Sequence, residues 1–447
     1  MSYQIPILTG FRSKLFFATV CTVIVSILID TSIVKTSVYT GGIHGSISDI
    51  LLFTIIVLTY ALGQYVIIKL IIDRERIKTR TIVIGLRSMQ IIQYVLIVIL
   101  LITIIQMILS SSYHSIILKI VTWINYTMSI VFLGILAKRF IAWYMIRRNG
   151  ILIAYATAML FLCTYSIVSI IDISFGLTHG GTPLVSVTKS SVANIEALSS
   201  VSTIVNSVYF VISLLLFIAT WFATVLLLKH HSSKIGKAKY WILVSIPLAY
   251  FLTQFQTILI YLFTPVRLTD PILFGITYTL VFSASKPIGG ILFGIAFWIV
   301  SKRLNHPQVK KYMIISGYGL LLLFTANQHQ LLELNPYPPF GLTTICYVGL
   351  ASYLILVGVY SSALSVAEDT KLRQTIRRTV VNEASLLDSM GMALIEDRIR
   401  KKVVNIAKEQ KLVLTQQTGI ESSLDDSEIR QYVDAVLLEL KSSKVRK

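Results

Sequence analysis

An all-α polytopic membrane helix bundle of about ten transmembrane helices, with a helical cytoplasmic tail, is predicted by three features of this 447-residue chain. Ten apolar stretches are long enough to cross a bilayer, the loops between them alternate between basic and nearly uncharged, and the composition changes abruptly after Leu364. In order, the stretches are Leu15–Val34, Leu51–Ile72, Ser88–Leu109, Ile116–Ala137, Ile151–Ile173, Val205–Leu228, Trp241–Phe263, Leu273–Val300, Tyr312–Leu331 and Gly341–Leu364. A helix rising 1.5 Å per residue needs roughly 20 residues to cross about 30 Å of hydrocarbon. Only helices and closed barrels satisfy every backbone N–H and C=O in lipid, and these runs lack the two-residue alternation of barrel strands.

The charges fix an orientation as well as a count. Arg12 and Lys14 precede the first stretch; Arg74, Arg76, Lys78, Arg80 and Arg87 follow the second; Lys138, Arg139, Arg147 and Arg148 follow the fourth. Lys229, Lys234, Lys237 and Lys239 follow the sixth, and Lys302, Arg303, Lys310 and Lys311 the eighth. The alternate loops hold only Lys35, Lys119, Lys189 and Arg267. The positive-inside rule then predicts a cell-membrane protein with both termini cytoplasmic. The net charge of +19 is largely this orientation signal, apposed to anionic lipid of the inner leaflet, and calls for no nucleic acid. Arg12 and Lys14 ahead of an apolar run resemble a signal peptide, but no small-residue cleavage site follows, so the first stretch is expected to be a retained anchor. Cys21, Cys163 and Cys346 fall inside stretches and are expected to behave as small apolar residues.

Residues 1–364 are thus read as a transmembrane domain and 365–447 as a cytoplasmic tail. The long Gly-, Ser- and Thr-rich link from Ser174 to Ile204 divides the stretches into halves, 15–173 and 205–364. Later stretches start 36, 73, 101 and 136 residues after Leu15, and 36, 68, 107 and 136 after Val205. Five spans per half would give the halves opposite orientations, the arrangement of inverted-repeat transporters. The tail to about Leu412 reads as a helix continuing from the last span, with Leu372, Ile376, Val380, Leu387 and Leu394 partly in helical register and Gly391 as an interruption. A second amphipathic helix aligns Ile429, Val433, Val436, Leu437 and Leu440 on one face, a candidate surface for a cytoplasmic partner or a second copy of the chain.

Lys286 is the sharpest candidate for function. It lies mid-way along the eighth stretch, where a charge costs about 2.5–3.5 kcal/mol on insertion scales and therefore faces a protein interior or a wet cavity. Pro287 frees a nearby carbonyl, and Gly290 and Gly294 permit close helix approach. Such a helix suits an anionic ligand or a titrating gate, with Asp30, Gln254 and Gln256 as candidate partners; the competing reading is a snorkelling lysine in a structural contact. On the outer side, His329 and Glu333 would share a helical face and make a weak metal pair. The tail holds no histidine, phosphate-binding Gly loop or hydrolase elbow, so neither an enzyme nor a cofactor is expected.

The block FGLTTICYVGLASYLILVGVYSSALSVAEDTKLR, Phe340–Arg373, followed by SSLDDSEIRQYVDAVLLELK, Ser422–Lys441, resembles a recurrent group of multi-spanning membrane proteins of ammonia-oxidising archaea. The junction of a Ser-, Tyr- and Gly-rich last span with a charged helix is similar to multi-span input domains of microbial sensor kinases, although the kinase module is absent from the tail. The expectation is a non-enzymatic receptor or signalling scaffold relaying an external or intramembrane state to the tail. The alternatives are a secondary transporter with a midplane site at Lys286, or a structural subunit of a membrane complex.

Overall fold

A computed structural model describes residues 6–40, 47–72, 80–179, 184–186, 200–229, 236–253, 269–270, 273, 285–302, 306–328, 332, 337–369 and 385–418. Within these, the long helices are α1 (Pro6–Thr40), α2 (Ile47–Ile72), α3 (Arg80–Ser110), α4 (Ile116–Ile146), α5 (Gly150–His179), α6 (Ser200–Lys229), α7 (Lys237–Thr253), α8 (Ser285–Lys302), α9 (Pro307–Ala326), α10 (Leu342–Glu368) and α11 (Ser385–Thr418). Eight of them, α1 to α6, α9 and α10, are long and apolar enough to cross a membrane. The predicted seventh and eighth spans are described only as α7 and α8, so the count of ten extends beyond the described residues.

The outer helices turn Ile, Leu and Val outward: Ile84, Ile91, Val95, Val98, Ile102 and Ile105 form an exposed row along α3. In lipid such a row has nothing to hide from. The hydroxyls that share this surface, including Thr19, Thr22, Thr54, Thr59 and Thr157, bond back to the carbonyl four residues earlier, which removes their cost in hydrocarbon.

At the centre stands α10, buried from Leu342 to Ala367 except at half-exposed Tyr360. It packs most extensively on α9 and α4, and also on α1, α2, α3 and α11. Without a hydrophobic driving force between helices in lipid, small residues that admit close backbones supply the contact. An added Cβ at Gly358 would lie 2.6 Å from the Ser316 nitrogen of α9, and one at Gly319 would lie 2.9 Å from the Ile355 nitrogen of α10. The Gly290 and Gly294 pair of α8 serves the same purpose against α9, with Gly294 and Gly317 each placing a would-be Cβ 2.8 Å from the other's carbonyl oxygen. The last helix of the second sequence half is therefore enclosed largely by helices of the first.

Contacts sort the helix ends as the charge alternation requires. At one end, β1 (Ser112–His114) pairs antiparallel with β2 (Leu184–Ser186), and Tyr113 stacks on Tyr337, joining the loops after α3, after α5 and before α10. At the other, Asn149 donates to Ser389 at 2.7 Å, and His306 approaches Asp369 at 3.6 Å, joining the loops after α4 and α8 to the chain beyond α10.

The tail differs from expectation at its start. Asp369 is extended (φ −96, ψ 108), so α10 ends at Glu368 and does not run on as one helix into the tail. α11 instead turns beneath the bundle and adds Leu386, Leu387, Met390 and Ala393 to the main core. Gly391 interrupts the heptad pattern but not the helix: α11 passes through it, and the missing side chain lets the helix approach Val366 of α10. The proposed partner face at Ile429, Val433, Val436, Leu437 and Leu440 lies outside the described residues.

Candidate functional site

Lys286 occupies the first turn of α8, about 24 Å from Lys302 at 1.5 Å per residue. Its Nζ donates to the hydroxyls of Tyr165 on α5 and Tyr209 on α6, at 3.2 and 3.3 Å, and lies over both rings, 5.2 and 5.5 Å from their centroids. The two hydroxyls are also hydrogen-bonded to each other. Each ring face carries the negative lobe of its quadrupole toward the ammonium, which substitutes for part of its lost hydration. Tyrosines deep in these helices therefore make the insertion of a lysine tolerable.

The network continues to α9 and α4. Tyr165 donates to the Asn327 carbonyl at 3.4 Å, and Tyr126 of α4 donates to the Asn327 side-chain oxygen at 2.8 Å. Asn327 follows the last residue of α9, where backbone carbonyls lack intrahelical donors, so an amide side chain there can face a polar interior. Beside Tyr165, Ser166 donates to Ser129 at 3.2 Å, and Ser129 shares a hydrogen bond of 2.9 Å with Ser352 of α10. These serines form a second polar set, next to the lysine cluster in sequence, that joins α5 and α4 to the central helix. Chemically, the assembly can hold a cation, or present one to an anion, among hydroxyls that both donate and accept.

Asp30 is elsewhere and does not pair with Lys286. It is fully buried, and its carboxylate accepts from the Gly341 nitrogen (2.8 Å), the Thr343 hydroxyl (2.6 Å), the Thr344 nitrogen (3.2 Å) and the Thr344 hydroxyl (2.7 Å). These groups form the N-terminus of α10, where unsatisfied N–H groups and the helix dipole favour an anion. The carboxylate is a clasp between α1 and α10, which corrects its expected role as the lysine's counter-charge. Residues Tyr337 to Leu342 are buried around it, the only setting in which irregular backbone is tolerated at such depth.

Pro287 is buried beside Lys286, and Gly289 meets the Phe217 ring of α6. Gln254, Gln256, His329 and Glu333 lie outside the described residues, and among those described no three His, Cys, Asp or Glu side chains gather in a metal-holding group. The partners missed by sequence reading are Tyr126, Tyr165, Tyr209 and Asn327. Their one signal is polarity at depth comparable to that of Lys286, but tyrosine is too common in these stretches for it to stand out.

The fold and its lipid-suited surface define a multi-pass helical integral membrane protein. No protein-family model, curated protein or solved structure matches the chain.

Proposed function

We propose that the protein is a non-enzymatic receptor or signalling scaffold of the cell membrane, in which an external or intramembrane state sets the position of α10 and, through it, the cytoplasmic tail. The basic loops are placed inside the cell by the positive-inside rule, which puts α11 and both termini in the cytoplasm. The observation that carries the reading is the course of α10. Asp30 grips it near one end, Ser129 of α4, itself bonded to Ser166 of α5, reaches it further along, and α11 packs on it at the other end. A packed element of this kind responds as a unit, because interiors at native density transmit displacement rather than absorb it. Output then passes to a cytoplasmic partner, or to a second copy, through the face at Ile429, Val433, Val436, Leu437 and Leu440.

The test needs no ligand. In proteoliposomes, Asp30→Asn loosens the outer grip, and amide exchange of residues 385–397 is expected to quicken about tenfold, the equivalent of 1.4 kcal/mol of coupling, while α6 is unchanged. Unaltered exchange in 385–397, or equal acceleration in α6, overturns the relay.

The Lys286 cluster favours a second reading, a secondary transporter that binds an anionic solute near mid-membrane. Deleting 365–447 separates the two. Solute flux survives the deletion in a transporter, whereas partner recruitment is lost in a relay.

A further inference from the structure

We propose that the groove between α2 and α3 is a binding site for an anionic phospholipid of the leaflet on the basic face. The groove is a cavity of about 210 Å³ lined by Gln64, Tyr65, Ile68, Lys69 and Ile72 of α2 and by Gln90 and Tyr94 of α3. A lipid-facing groove is expected to be wholly apolar, and this one carries two amides. Gln64 is 2% exposed and Gln90 half-buried, and among the described residues neither side chain makes a hydrogen bond. Their neighbour Gln93, by contrast, is satisfied internally, accepting from Tyr60 and donating to the Cys346 carbonyl. An amide that opens with no partner into a lipid-facing groove is costly in hydrocarbon, so the groove suits a ligand that brings its own oxygens.

Depth and charge select the ligand. Lys69 lies in the last turn of α2, next to the basic loop, and over the Tyr65 ring, 5.7 Å from its centroid. Gln64 is five residues deeper, about 7 Å along the helix. The polar layer of each leaflet is roughly 5–8 Å thick, so an ammonium in the phosphate plane puts Gln64 at the level of the glycerol linkages. Exposed Arg87 is one turn before Gln90 on α3 and adds a second cation on the same side. Tyr65 and Tyr94 are half exposed, as suits aromatic rings at a membrane interface, and Ile68 and Ile72 flank the start of the acyl chains. Basic pockets between helices at this level recognise lipid headgroups by charge and hydrogen bonding together. The site is separate from the Lys286 cluster and from α11, so its fate does not depend on the relay.

The test is native mass spectrometry of the full chain released from nanodiscs of phosphatidylcholine mixed with phosphatidylglycerol. The wild type is expected to retain phosphatidylglycerol preferentially, Lys69→Met and Gln64→Leu to weaken retention about tenfold each, and Lys311→Met, on the same face but away from the groove, to leave it unchanged. Gln64→Glu keeps the side-chain size and repels the phosphate; with an unchanged melting profile, it is expected to lose phosphatidylglycerol selectively. Equal retention by wild type and the Lys69→Met/Gln64→Leu double variant overturns the proposal. So does phosphatidylcholine bound as well as phosphatidylglycerol, or displacement of the lipid by inorganic phosphate, which would make this a simple phosphate site. Efficient disulfide cross-linking of Tyr94→Cys between two copies would instead make the groove a subunit seam and also overturn it.

Discussion

At the scale of single residues, buried Asp30 and half-buried Lys286 are handled in opposite ways. Asp30 satisfies four donors of one helix end, so it behaves as a structural fastener. Replacing it with Ala strands those donors in a region without water and is expected to cost about 3 kcal/mol, read as a lower midpoint of unfolding in mixed detergent micelles. Lys286 is supported by rings and hydroxyls, a softer environment that a ligand or a proton can remodel. Glycines obey geometry alone. Gly358→Val places methyl groups against the α9 backbone and is expected to destabilise by about 1–3 kcal/mol in the same assay, whereas Gly150→Ala, with nothing within 4 Å of the added carbon, changes little. Lys286 was legible in sequence because a charge in an apolar run stands out. The Asp30 clasp was not, because it joins positions 311 to 314 residues apart, and no local pattern says that the first and last spans are neighbours.

Helices show the same division between local and distant information. Helix α1, Pro6–Thr40, contains the apolar stretch Leu15–Val34 read from hydropathy, because lipid enforces length and apolarity residue by residue. The tail obeys no such constraint. Its register suggested a helix continuous with α10, yet the chain breaks at Asp369 and returns as α11 beneath the bundle. Ion pairs there, such as Arg398 with Glu368 at 3.7 Å, are exposed and contribute little, so the docking rests on Leu386, Leu387, Met390 and Ala393. Met390→Asp is therefore expected to release α11 while leaving α1 to α10 assembled. Limited proteolysis should then cut within residues 385–397 at least tenfold faster, with no gain in cleavage between α4 and α5.

For the whole molecule, the loops that the charge alternation assigned to one surface are those that touch. Strands β1 and β2 join loops at one end of the bundle, while at the other Asn149 and His306 meet the chain beyond α10. Cysteines introduced at Lys189 and Lys237 should accordingly react with membrane-impermeant reagents from opposite compartments, and labelling from the same side would invalidate the arrangement. Sequence could group the loops by end because charge is written in every loop. Which helix occupies the middle is written only in small residues, whose meaning depends on what faces them.

The position of α10 has a consequence for how the protein is made. A ribosome delivers helices to the membrane in order, so α1 to α9 are synthesised before the helix that will stand among them exists. Until then Asp30 lacks all four of the donors it accepts from in the finished fold, and Gln93 and Ser129 lack their contacts with Cys346 and Ser352. Translation must pass Glu368 before those contacts can form. Premature termination anywhere upstream of Phe340 would leave a product that the cell's quality-control proteases can recognise by its exposed polar seam.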